Sequence, residues 1–399
     1  MKHYILLLMA AMLGLSLAAC TNSTSVTAPP PNSQVSNPIT KDTVSGNIRG
    51  TMLAGKTYYI KDSITVLRGD TLDVKSGVTI YMLKNPTIFV QGTMITEGTQ
   101  SAPIYLTVLP SLQNGPSAKG SWGGIQCDSL NLLSLHWTHI DYTGGPDVQG
   151  SPRQAVRFNA SADNSSVLDV EDCWVSYGSD DVLKVYGGSG KILRNTIEGC
   201  GTTDGDGINI KTGWVGDVAY NLVWQSSGSC VKIETAPTVT GRLTKVNVYN
   251  NTLVVAGFRR LQEAGFGTLV DANADANVWN NVYVNNRYGF QEGADADTVN
   301  VHYGNNLFFG TIDSLNKVVD FFPPGDYAHA VSTDKISVDP QFVNFDSSPA
   351  GIVAARDLND YHLKSSSPAL GAGNTNFMNT GKGDKDMGAY TSTSTTNLH

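Results

Sequence analysis

The sequence predicts an all-β solenoid, one long stack of short coils. Three observations point there. Apolar and polar residues alternate over short runs from about residue 60 onward. Glycine, asparagine and proline break these runs too often to leave room for helices. An asparagine also returns at near-constant spacing in one local frame, the mark of a repeat. Composition agrees. Of 399 residues, 40% are hydrophobic, only 16% are charged and 41 are glycine. Such a chain can bury a core and is not disordered throughout. Lys and Arg number 27 against 35 Asp and Glu, a net charge of −8. With no basic excess to neutralise phosphates, nucleic acid is not an expected partner.

The chain begins with an address. Lys2 and His3 precede an apolar run from Tyr4 to Leu17. The run is too short to span a bilayer and has the length of a signal-peptide core. It ends in Leu17-Ala18-Ala19-Cys20, which resembles the lipobox of bacterial lipoproteins. The resemblance implies a signal peptide over 1–19 and lipidation of Cys20. It also implies a bacterial outer-membrane lipoprotein that touches the membrane through its lipid anchor only, on a face left open. Residues 20–45 are rich in Ser, Thr, Pro and Asn and are expected to form a flexible tether. Residues 46–391 are expected to form the solenoid and a C-terminal capping segment.

Period two sets in with Leu72, Val74, Val78 and Ile80, then Ile88, Val90, Ile104, Leu106 and Val108. Further on, Asn195, Asn221, Asn251, Asn281 and Asn306 share one frame. Each has an apolar or aromatic residue three before it and another two after it. Thr138 and Cys173 occupy the same frame. Stacked coils set such side chains about 4.8 Å apart. An amide there donates to one neighbour and accepts from the other, and Asn tolerates the left-handed backbone of a coil corner. Asp181–Val185 aligns with Asp206–Ile210 and Ser229–Ile233. Leu183, Ile208 and Val231 are expected inside, with Lys184, Asn209 and Lys232 outside. Roughly a dozen coils are expected.

Two stretches carry a family resemblance. G-D-T-L-D-V-K-S-G-V-T-I-Y-M (69–82) and S-W-G-G-I (121–125) resemble the opening coils of right-handed parallel β-helix proteins of bacterial envelopes. Near the end stand Val338-Asp339-Pro340-Gln341-Phe342, Tyr361-His362-Leu363, Ser367-Pro368-Ala369-Leu370 and Asp386-Met387-Gly388-Ala389-Tyr390. They resemble the closing motifs of the pectin-lyase-like superfamily. The resemblance implies a right-handed parallel β-helix over about 60–390, with the closing motifs packing and capping the last coils. It implies no single activity, because one fold hosts many.

Only outward residues of such a rod meet a ligand. Tyr249, Trp279 and His302 are expected to form an exposed aromatic strip, with Asn277 among the hydrogen-bonding groups beside it. That pattern matches sugar faces, unless loops cover it. Asp181 and Asp206 are expected to stack on adjacent coils near Lys184 and Lys232. Like charges so close call for a cation or a raised pKa. Asp180, Asp181, Asp204 and Asp206 are therefore candidate Ca2+ ligands. Asp181, Asp206, Lys184 and Lys232 are candidate catalytic groups for β-elimination or glycoside hydrolysis. The same Asp and Gly residues also suit tight turns.

Thr203-Asp204-Gly205-Asp206 is similar to the N-T-D-G-x-D of β-helix polygalacturonases. Thr202 replaces the Asn, the second Asp comes one residue early, and no G-H-G or R-I-K follows. No catalytic role passes across. Asp271–Asn277 opens like an EF-hand loop but carries Ala276 at position six and Val282 at position twelve. Arg259 and Arg260 sit in a longer coil and suit uronates or plain solvent. Cys127, Cys173, Cys200 and Cys230 read as buried thiols more than as disulfides. Two function classes result. One is a lipid-anchored envelope protein that binds polysaccharide. The other is a lyase or hydrolase acting on an acidic glycan in a groove along the rod.

Overall fold

The computed structural model describes residues 37–390 apart from 203, 236–242, 258–264, 313–315, 324–326, 349–350, 352–353 and 378–384. The signal peptide, Cys20, most of the tether, Arg259 and Arg260 lie outside the described residues. The tether expectation runs a few residues too far, since Thr43–Asn47 is already a strand paired with Thr57–Val66.

The fold is a right-handed parallel β-helix. Strands from successive coils pair in parallel, and each coil turns through three faces. Face one is a ten-stranded sheet that starts at Gly50–Met52 and ends at Val301–Gly304. Face two includes Thr138–Asp141, Trp174–Ser176, Thr196–Glu198 and Leu222–Trp224. Face three includes Val156–Ala160, Leu183–Tyr186, Ile208–Lys211 and Val231–Glu234. The expected alignment holds in register. Leu183 pairs with Ile208 and Ile208 with Val231, and all three are buried. Each such aliphatic side chain contributes about 1.5–3 kcal/mol on burial. No described helix is long and apolar enough to cross a membrane.

The amide ladder is continuous. Asn195 Nδ2 donates to Asn221 Oδ1 at 2.9 Å, and the bond repeats from Asn221 to Asn251, Asn251 to Asn281 and Asn281 to Asn306. Each accepting oxygen also takes the backbone N–H of the preceding ladder residue. Upstream, Cys173 N–H donates to Asn195 Oδ1, and the Thr96 and Thr138 hydroxyls meet at 2.7 Å. One expectation is corrected. The left-handed backbone belongs to the residue before each ladder Asn: Arg194, Tyr220, Asn250, Asn280 and Asn305, with φ of 50–60°. That residue turns the corner, and the ladder amide points inward and ties the corner down.

Among the described residues about ten coils form, fewer than expected, because the chain beyond about residue 337 leaves the stack. The closing motifs do pack on the later coils, but along their flank. Phe342, Tyr361, Ala369, Met387 and Tyr390 cover Leu222, Val254, Val282 and Leu307 on face two. Ala389 N–H donates to Thr252 Oγ1 at 3.0 Å. This segment removes from water the outward apolar residues that a coil cannot bury by itself. Cys127, Cys173, Cys200 and Cys230 are buried free thiols.

Candidate functional site on face three

Strand alternation on face three sends every second side chain outward. Parallel register then stacks them. Gln126, Arg157, Lys184, Asn209 and Lys232 form one column over five coils, although Asn209, expected outside, is only 4% exposed between Asp181 and Asp206. Arg157 is exposed and lies over the Tyr186 ring at 5.9 Å. Lys232 reaches Glu234 at 3.2 Å, and Lys211 pairs with the same carboxylate. Of this column, Gln126 and Arg157 line a cleft of about 860 Å³ whose walls also include Arg153, Gln154, Asp128, Asp147, Asp180 and Asp204.

Asp181 and Asp206 stand on adjacent coils at the entry to face three, as expected. Both are nearly buried, at 2% and 8% exposure. Asp181 Oδ1 accepts Asp206 N–H at 2.8 Å, and its Oδ2 meets Lys184 Nζ at 3.0 Å. Asp206 Oδ1 accepts Ser229 N–H at 2.6 Å. Asn209 Nδ2 donates to both carboxyls, at 3.1 and 3.0 Å. Burial first, and the Asp181 charge second, push the Asp206 carboxyl up to about 7. Burial works against the Lys184 ammonium, but the charge and hydrogen bond of Asp181 outweigh it and raise its pKa. Lys232 is raised likewise: burial opposes the ammonium, while Glu234 and Asp206 hold it. Both lysines are firmly cationic, which suits anion binding and makes them poor general bases.

The four-aspartate calcium expectation does not fit. Asp180 Oδ2 accepts Gln154 Nε2 at 2.5 Å, Asp181 is committed to Lys184, and Asp204 is exposed on its turn. Among the described residues, three potential ligand atoms converge within 4.8 Å at His136, Asp169 and Glu171 on face one. There Lys191 and Arg194 already neutralise Glu171. The EF-hand-like segment is a coil corner, with Ala272 and Asn273 left-handed and Asp275 paired to Lys245 at 2.9 Å.

The aromatic strip is corrected too. Tyr249 does pair with Trp279, but Trp279 pairs with Gly304, and His302 falls beside Asn277. The Asn281–Asn306 step fixes this register, and two residues before Asn306 stands Gly304. Tyr249 is only 9% exposed and packs with Leu193, Ala219 and Tyr220, against which Trp279 is half-buried. Asn277 instead joins an outer ladder, donating to Asn247 Oδ1 at 2.9 Å while Asn247 donates to Asp217 at 2.7 Å.

A different aromatic row went unread in the sequence. Tyr105, His139 and Trp174 line up on successive coils of face two, with ring centroids 4.7 and 5.3 Å apart and their planes tilted by 39° and 48°. The available signal was the ladder frame itself, since His139 and Trp174 each follow a ladder residue directly.

No family model matches the sequence, and no curated protein matches it. Among solved structures, the chain is similar to the crystal structure of pectate lyase Pel9A. The identity is 13% and the TM-score 0.43, covering 84% of this chain and 86% of that one. A likeness this distant assigns no activity to the chain.

Proposed function

We propose that the protein binds an acidic polysaccharide along face three. The observation that carries this reading is the column Arg157, Lys184, Asn209 and Lys232, held in register, whose Arg157 end lines a cleft of about 860 Å³. Lys184 and Lys232 are two coils apart, about 10 Å, so an extended anionic chain lying along the axis meets several cations in turn. Arg157 adds a planar fork suited to carboxylates. Calorimetry with polygalacturonate tests the reading. Binding that weakens as salt rises supports it, and equal binding of an uncharged glucan refutes it.

A second reading is catalysis on the same glycan. It draws on Asp206, a carboxyl pushed up to about 7 beside Asp181 and therefore suited to act as a general acid. Release of unsaturated uronides or of new reducing ends that disappears in Asp206→Asn would establish it. The reading also takes the rod to be held on the outer membrane by a lipid on Cys20. A Cys20→Ala chain that stays in the membrane fraction would remove that part of the account.

A further inference from the structure

The C-terminal segment covers face two only in part. Where it meets the earlier coils, at Arg356, lies a separate cavity of about 210 Å³ lined by His139, Asp141, Trp174, Tyr177, Glu198 and Arg356. One wall is aromatic. His139 and Trp174 belong to the aromatic row described above, and Tyr142 and Tyr177 stack at 5.2 Å with an interplanar angle of 11°. Arg356 lies 5.7 Å over the Trp174 ring. The other wall is acidic. Asp141, Ser176 and Glu198 share one column over three coils. Glu198 is 2% exposed and accepts the Asp357 N–H at 3.4 Å. Asp141 Oδ1 is buried and accepts no hydrogen bond among the described residues.

We propose that this cavity binds one neutral pyranose ring, the terminal residue of a glycan chain. Its space of about 210 Å³ is of the order of a single sugar ring. Trp174 and His139 offer flat faces to the apolar side of a pyranose. Asp141, Glu198 and Arg356 supply acceptors and donors for ring hydroxyls, and the orphaned Asp141 oxygen gains a partner. Glu198 and Arg356 balance one another, so the cavity has no excess cation to hold a uronate, in contrast to face three. Burial also pushes the Asp141 carboxyl up to about 7, so near neutral pH it can donate as well as accept. The cavity and the face-three column share none of these residues, and the inference does not rest on uronate binding.

Saturation-transfer NMR of the full chain tests it. The probes are methyl glucoside, galactoside, mannoside and N-acetylglucosaminide, with glucuronate and tetramethylammonium as the anionic and cationic counterparts. At least one neutral pyranoside is expected to show transfer at its ring C–H protons. Trp174→Ala is expected to weaken it about tenfold. If that variant fails to fold, Arg356→Ala, on an exposed side chain, is expected to weaken it several-fold instead. No transfer to any of the four pyranosides, preference for tetramethylammonium or glucuronate, or unchanged affinity in a folded variant would each overturn the proposal.

Discussion

Replacing Asn221 with alanine tests the ladder at its centre. Asn221 Oδ1 accepts both the backbone N–H and the Nδ2 of Asn195 at 2.9 Å. Its own Nδ2 donates to Ile192 O at 2.9 Å and Asn251 Oδ1 at 3.0 Å. In the variant, Asn195 Nδ2 keeps Val170 O, and Asn251 Oδ1 keeps the Asn221 N–H. The Asn195 N–H loses its side-chain partner, and Ile192 O loses one of its bonds, in a site with no solvent. At about 1–3 kcal/mol for each buried group left unsatisfied, the expected loss is about 3 kcal/mol. That is a large share of an ordinary folding stability of about 5–15 kcal/mol. Asn277→Ala is the matched control. It removes a half-buried amide that donates to Asn247 and should cost less than about 1 kcal/mol. Urea unfolding followed by circular dichroism, with native-state hydrogen exchange at Asn195, reads both. Equal losses in the two variants, or unchanged protection at Asn195, would refute the reasoning.

Three further outcomes follow from the structure. The folded chain holds the Asp206 proton between the ordinary 3.8 and about 7, where the unfolded chain releases it. Stability therefore falls as pH rises through that window, and Asp206→Asn should flatten the slope; an unaltered slope contradicts this. The four buried thiols, with burial pushing Cys127, Cys173 and Cys230 well above the usual range, should resist thiol reagents until the chain unfolds. A disulfide found by mass spectrometry would contradict that. Truncation before residue 337 should bare Leu222, Val254, Val282 and Leu307 on face two. Self-association by light scattering is the expected result, and a stable monomer would count against the flank-covering role.

The sequence disclosed what each coil does for itself and hid what distant segments do to it. The ladder was legible because each Asn bonds its own coil and the next, so the residue type is forced at every step. The inward column at Leu183, Ile208 and Val231 was legible because burial forces its alternation. The outward faces were less so. Tyr249 has the look of a sugar platform, yet Leu193, Ala219 and Tyr220 take it into a cluster. His302 was misplaced although the frame was legible: the residue two before Asn306, in line with Tyr249 and Trp279, is Gly304. The closing motifs were recognisable, but nothing local says that they lie along face two rather than across its end. Asp181 and Asp206 came together as read, while Asp180 and Asp204 did not join them, because Gln154 claims one and the other accepts the Gly205 N–H on its own turn.

The central claim concerns face three, and one measurement meets it most directly: the affinity for oligogalacturonate of the chain carrying Lys184→Glu and Lys232→Glu together. Each half-buried cation lost is worth about 1 kcal/mol, so the pair should weaken binding about thirtyfold and reduce its salt dependence. The same affinity and the same salt slope in the folded double variant would contradict the account.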